Sequence, residues 1–254
     1  MIDLTGRVAL VTGSSRGIGA ACAYRLAEAG ADLVLNYVTS RSAADGLAER
    51  IRDLGRRVAV VKADVAERDD IESMIEFIED HFGRLDIIVS NAASGGFRSM
   101  MSITEQNFTG TMKTNVLALI QLVQVASKLL EKSPGRAKVI GLSSHGAALA
   151  VPMYGCVGGS KAALESFARH LALELGDRGI NVNIVRAGLV ATDSTTNLPY
   201  SDLMFEGRKW RSMTGDRFVE KEDVANAVLF LASPLSDMVQ GETLTVDCGA
   251  QVHI

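Results

Sequence analysis

Seven short apolar runs, each separated from the next by a stretch long enough for a helix, constrain this chain more than any other feature. The runs are Val8–Val11, Asp32–Leu35, Val58–Val61, Ile87–Val89, Lys138–Leu142, Asn181–Val185 and Thr243–Val246. They lack the polar alternation of a half-exposed strand, so burial on both faces is expected. The intervening helical stretches are Gly17–Ala29, Arg41–Leu54, Asp69–Phe82, Thr104–Leu130, Ser160–Leu175 and Lys221–Leu231. In the third of these, Ile71, Met74, Ile75 and Ile78 recur at the spacing of one buried helix face. Strands joined through helices form a parallel sheet, and right-handed crossovers make it doubly wound. The expected class is therefore α/β, with helices on both faces of a doubly wound parallel sheet. A chain of 254 residues with 47% hydrophobic content suits one domain over residues 1–254.

Charge and cysteine content exclude several alternatives. A net charge of −4 gives no electrostatic case for nucleic acid or an anionic membrane. No run approaches the length of a membrane span. The start, Met1-Ile2-Asp3-Leu4-Thr5-Gly6-Arg7, has no basic-then-apolar region, so a cytoplasmic protein is expected. Cys22, Cys156 and Cys248 are odd in number and far apart, which suggests neither a disulfide framework nor a metal site.

The first strand runs directly into Thr12-Gly13-Ser14-Ser15-Arg16-Gly17-Ile18-Gly19. Gly13 permits a tight strand-to-helix turn, Gly17 close approach to a pyrophosphate, and Gly19 packing of helix on strand. Free amides at the helix start then face the phosphates. Gly13, Ser15, Arg16, Gly17, Ile18 and Gly19 are thus a candidate dinucleotide cradle. An acidic residue closing the second strand would favour NAD. This chain has Asn36-Tyr37-Val38-Thr39-Ser40-Arg41 there. With no carboxylate present, and with Arg16 and Arg41 available to a 2′-phosphate, the expected cofactor is NADPH. After the third strand, Asp64-Val65 offers an acceptor for the adenine amino group or a helix cap. After the fourth, Asn91-Ala92-Ala93-Ser94-Gly95-Gly96 lets backbone lie against the cofactor or forms a bare turn.

These motifs, with Asn115 in Thr114-Asn115-Val116, Ser144 in Leu142-Ser143-Ser144, and Ser160-Lys161, resemble the short-chain dehydrogenase/reductase family over essentially the whole chain. The resemblance implies a Rossmann-type domain, a homotetramer, and hydride transfer with a nicotinamide. It implies cofactor contacts from Gly188 and Thr192 as well, although Ala187 stands where most of the superfamily has proline. A larger departure concerns the tyrosine. The family's Tyr-x-x-x-Lys pattern requires tyrosine at position 157, which is Val157; Tyr154 gives Tyr-x₆-Lys instead. Seven helical residues return to nearly the same face, about 20° off. The rise is then roughly 10 Å, against about 6 Å for four residues. Gly155, Gly158 and Gly159 are expected to let the chain fold back so that the phenol reaches the same point. The longer spacing is similar to that of type III enoyl-acyl carrier protein reductases.

The resemblance implies the following roles. Tyr154 donates to the substrate oxygen, and Ser144 is a second donor. Lys161 binds the nicotinamide ribose and lowers the phenol pKa by its charge. Asn115 holds a water or a backbone turn that links Lys161 to solvent. Three readings stay open. They are an enoyl-thioester reductase, a 3-ketoacyl or polyketide ketone reductase, and a nucleotide-binding protein without catalysis. The substrate is an acyl thioester, on acyl carrier protein or coenzyme A, or a free ketone. His145 beside Ser144 has no evident carboxylate partner, which argues against a hydrolase pair. Residues 192–218, with Tyr200, Met204, Phe205, Trp210 and Met213, are expected to form a lid, and Arg208, Lys209 and Arg211 a solvated basic face.

Overall fold

The structure is a computed structural model that describes residues 2–196 and 201–252. Its strands are β1 (Val8–Val11), β2 (Asp32–Tyr37), β3 (Val58–Lys62), β4 (Ile87–Ser90), β5 (Ala137–Ser144), β6 (Ile180–Ala187) and β7 (Thr243–Val246). They form one sheet in the order β3-β2-β1-β4-β5-β6-β7, and every pairing is parallel. The helices are α1 (Gly17–Glu28), α2 (Arg41–Asp53), α3 (Arg68–Phe82), α4 (Glu105–Met112), α5 (Ala118–Glu131), α6 (Gly155–Leu175), α7 (Asp193–Thr196), α8 (Ser201–Arg211) and α9 (Lys221–Ala232). This is the expected Rossmann-type doubly wound sheet.

Alternate strand residues feed two cores. Ala9, Val11, Leu33 and Leu35 pack with Leu26 of α1, Ile51 of α2 and Val228 of α9. Val8, Leu10, Val34 and Ile88 pack with Ile71 and Ile78 of α3, Leu122 of α5 and Leu164 of α6. Full burial of each such side chain stabilises the fold by about 1.5–3 kcal/mol. Both faces being covered, the free edge for ligands is the carboxyl end of the strands. The crevice lies where the order reverses between β1 and β4.

Two helices differ from expectation in ways that shape the site. The stretch expected as one helix, Thr104–Leu130, is interrupted by a π-helical segment, Lys113–Leu117. The widened turn carries Asn115, whose buried amide is bonded away from the helix. The helix expected from Ser160 begins at Gly155, with Tyr154 as its N-cap. The glycines therefore do not let the chain fold back. They are helical, and Gly158 packs so closely that a β-carbon would lie 2.5 Å from the Gly146 carbonyl oxygen. Among the described residues no helix is long and apolar enough to cross a membrane.

Candidate active site

A cleft of about 950 Å³ runs along the carboxyl edge of the sheet. At one end lie Gly13, Ser15, Arg16, Gly17, Ile18 and Gly19, with Asp64, Val65, Asn91, Ala92 and Ala93. Side-chain amides and hydroxyls hold this loop from behind. Asn36 Oδ1 accepts from the Gly13 amide (3.1 Å), and its Nδ2 donates to the Ala63 carbonyl (2.9 Å). Asn91 Nδ2 donates to the Thr12 and Gly13 carbonyls (2.9 and 3.1 Å). Thr12 Oγ1 accepts from the amides of Asn91 and Ala92, both at 3.0 Å. A β-carbon on Gly19 would sit 2.4 Å from Asn91 Nδ2 and 2.6 Å from the Gly13 carbonyl oxygen. Only glycine fits that contact, as expected for a loop pressed against the helix start.

Two expected cofactor contacts do not face the cleft. Asn36 is 1% exposed and both ends of its amide bond backbone, so it shapes the loop from the core. Arg41 is 75% exposed and pairs with Asp45 one turn along α2, so Tyr37, Val38, Thr39 and Ser40 line the cleft in its place. Asp64 lines the cleft and also accepts from the Ala66 amide (3.0 Å), so the cap role is present. Thr192 reaches over Gly17: its methyl would lie 3.7 Å from a β-carbon there.

At the other end stand Ser144, Tyr154 and Lys161. The Tyr154 ring lies on Gly146, where a β-carbon would be 2.4 Å from two ring carbons, and the ring of Phe97 packs 5.1 Å away. The phenol lies beside the Ser144 side chain. Tyr154 thus reaches the strand-end hydroxyl from the N-cap of α6. Val157, at the family's tyrosine position, is buried instead, and its Cγ2 would lie 2.5 Å from a β-carbon on Gly95. Burial pushes the phenol pKa up, and the Ser144 side chain opposes this only in part. That corrects the expected lowering by Lys161. Burial in turn pulls Lys161 down to about 8, and its Nζ donates to the Leu142 carbonyl (2.7 Å). Asn115 holds the Ser94 backbone at both amide and carbonyl (2.7 and 2.9 Å) and donates to Ser160 Oγ (2.9 Å), next to Lys161.

Charged groups outside the expected set surround this end. His145 does have a carboxylate partner: its Nε2 lies 3.0 Å from Asp247 Oδ2. Arg208 of α8 bonds the same imidazole. The network assigns Nε2–H to Asp247 and leaves Nδ1 as acceptor for Arg208. Burial, then the Arg208 charge, pulls the His145 pKa down to about 4, so the ring is neutral at pH 7. Arg208 therefore points into the cleft and not to a solvated face. Glu165 accepts from Ser143 Oγ (2.6 Å) and from both arms of Arg186, which ties β5, α6 and β6 together behind the site. Gly188 lies where a β-carbon would be 3.0 Å from Asp247. Adjacent spacing in the sequence gives no sign of these pairings, because their partners come from β7, α8 and β6. Leu203, Met204, Gly207 and Arg211 of α8 also line the cleft; Trp210 is 87% exposed, and Tyr200 lies outside the described residues.

A family model described as enoyl-(acyl carrier protein) reductase matches residues 13–251. The chain belongs to the short-chain dehydrogenase/reductase family of oxidoreductases. A hydroxynaphthalene reductase of Aspergillus fumigatus is 34% identical over 95% of this chain and 91% of its own length. A 3-oxoacyl-[acyl-carrier-protein] reductase of Synechocystis is 32% identical over 98% of each chain. A short-chain dehydrogenase of Burkholderia cenocepacia, solved in complex with NADP, is 35% identical with a TM-score of 0.87, over 98% of this chain and 99% of that one. Within this family fold the displaced tyrosine is the feature that needs a chemical account.

Proposed function

We propose that this protein is an NADPH-dependent reductase acting on the C=C bond of an enoyl thioester. The observation that carries the reading is the phenol of Tyr154, which stands beside Ser144 at the α6 N-cap and is kept protonated by burial. Reduction at a β-carbon develops negative charge on the thioester oxygen. A neutral phenol aimed at that oxygen stabilises the charge without giving up its proton, and a proton from solvent adds at the α-carbon to complete the saturated thioester. Ser144 is the second donor. Lys161 orients the site through the ribose hydroxyls, and Asn115 fixes the turn at Ser94 and the hydroxyl of Ser160 beside it.

The cradle supports a dinucleotide, since the contacts around Gly13 and Gly19 exclude any β-carbon. NADPH, when bound, supplies the hydride. Arg16 lines the cleft with Thr39 and Ser40, and no carboxylate closes β2, which supports recognition of a 2′-phosphate. Arg16 takes that role alone, because Arg41 faces Asp45. Residues 192–218 act as the lid, with Arg208 latched to His145, and residues 1–254 work as one domain. A cytoplasmic homotetramer acting on a carrier-bound acyl group completes the reading.

A carbonyl reductase is the second reading. Ser144 beside Tyr154 favours it, as does the similarity to the hydroxynaphthalene and 3-oxoacyl reductases. Tyr154 would then give its proton to an alkoxide. The test is NADPH oxidation with a trans-2-enoyl thioester and its matching 3-ketoacyl thioester in parallel. Turnover of the enoyl substrate alone is expected. Turnover of the keto substrate alone overturns the first reading in favour of the second. Tight NADPH binding with no turnover of either contradicts both.

A further inference from the structure

A second, smaller chamber of about 250 Å³ adjoins the cleft at Leu149, Val151 and Tyr154, which line both. Its walls include Met100, Leu149, Val151 and Met153, with Tyr154 shared between it and the main cleft. The walls are held in place by the backbone. The Arg98 amide donates to the Met153 carbonyl (2.7 Å), and Met153 adopts φ 61°, a left-handed conformation that a non-glycine residue rarely takes. Such a conformation persists where the surroundings impose it, commonly beside ligands. Gly155 lets Met100 close the floor, since a β-carbon there would lie 2.5 Å from its sulfur. One wall residue differs in kind. The Arg98 side chain lines the chamber, and its guanidinium has no hydrogen bond or ion pair among the described residues.

We infer that this chamber binds the far end of the substrate's acyl chain, and that the chain ends in a carboxylate held by Arg98. The apolar walls take the carbon body, and the unpaired cation takes the terminal anion. A thioester oxygen at the Tyr154 and Ser144 hydroxyls would direct the rest of a short chain past the ring into this space. The inference rests on the reductase reading for the orientation of the chain, and it narrows the substrate to a short acyl group with an acidic end.

The test is calorimetric binding to the whole protein saturated with NADP⁺, which separates recognition from turnover. The probes are two N-acetylcysteamine thioesters, of trans-2-hexenoic acid and of trans-2-hexenedioic acid, the latter with its far carboxylate free. The wild type should bind the carboxylate-ended probe roughly tenfold more tightly, the scale of one charge-assisted contact. Arg98→Gln, an exposed position, should level the two probes. Val151→Phe should weaken both alike by filling the chamber, and if it does not fold, Arg98→Gln carries the test. Equal affinities in the wild type, a preference that survives in Arg98→Gln, or no binding of either probe would overturn the inference. A preserved preference without NADPH oxidation would instead sink the reductase reading and leave the chamber assignment standing.

Discussion

The two ends of the cleft are built from different materials. The nucleotide end is held by uncharged groups, with Thr12, Asn36 and Asn91 bonding backbone around Gly13 and Gly19. The substrate end is held by ionisable ones: Tyr154, Lys161, His145 with Asp247 and Arg208, and Glu165 with Arg186. The strand end of the cradle is pinned, because the Thr12, Gly13 and Ser14 amides each bond a fixed acceptor. A phenol needs only to deliver its hydroxyl to one point. On the proposed reading, that difference lets Tyr154 serve from three positions before the family's tyrosine while the glycine loop keeps the family pattern.

The contrast can be broken most severely at the nucleotide end. Gly19→Ala forces a β-carbon into Asn91 and the Gly13 carbonyl, so it should cost about 1–3 kcal/mol of stability and abolish measurable NADPH binding. Calorimetric unfolding and fluorescence titration check both. Asn36→Ala should come next, with about 2 kcal/mol lost and NADPH binding weakened in step, because it strips partners from two backbone groups. Binding that stays intact would mean the loop does not depend on its support from the core.

At the substrate end the effects should fall on catalysis and pH response. Lys161 titrates near 8 because burial disfavours its ammonium form, so kcat/KM should decline as pH rises through about 8. Lys161→Arg, which stays charged, should remove that decline whatever its own rate. His145 is depressed from 6.5 to about 4, so the unfolded chain binds its proton first as pH falls. Its contribution to stability is present above pH 6.5 and is lost as pH falls from there towards 4. Urea midpoints across this window should show that loss in the wild type and a weaker one in His145→Asn. The smallest effect is expected for Arg208→Ala, a change of a few-fold in kcat/KM measured in the same NADPH-oxidation assay.

What could be read from the sequence follows the same division. The strands are legible because burial on both faces leaves an uninterrupted apolar run, as in Val8–Val11. The cradle is legible because Gly13, Gly17 and Gly19 fall close together directly after the first strand. Asn36 misleads because a polar residue at a strand end looks available, whereas β2 continues through it to Tyr37 and buries it. Arg41 misleads because reach does not show which way a side chain turns. The π segment around Asn115 has no periodic signature, since one extra residue in a helical turn leaves the apolar spacing almost unchanged. The cluster joins His145 to Arg208 and Asp247, each more than 60 positions further along the chain, so it appears only when the fold closes.

On the proposed reading, Tyr154, at the helix N-cap, supplies the donor that position 157 lacks. Steady-state NADPH oxidation by Tyr154→Phe, with the substrate that the wild type turns over, tests it most directly. A fall in kcat of about 100- to 1,000-fold with NADPH affinity unchanged is expected, as for the loss of one oxyanion donor. A kcat within a few-fold of the wild type would contradict it and leave Tyr154 as a ring on the wall of the pocket.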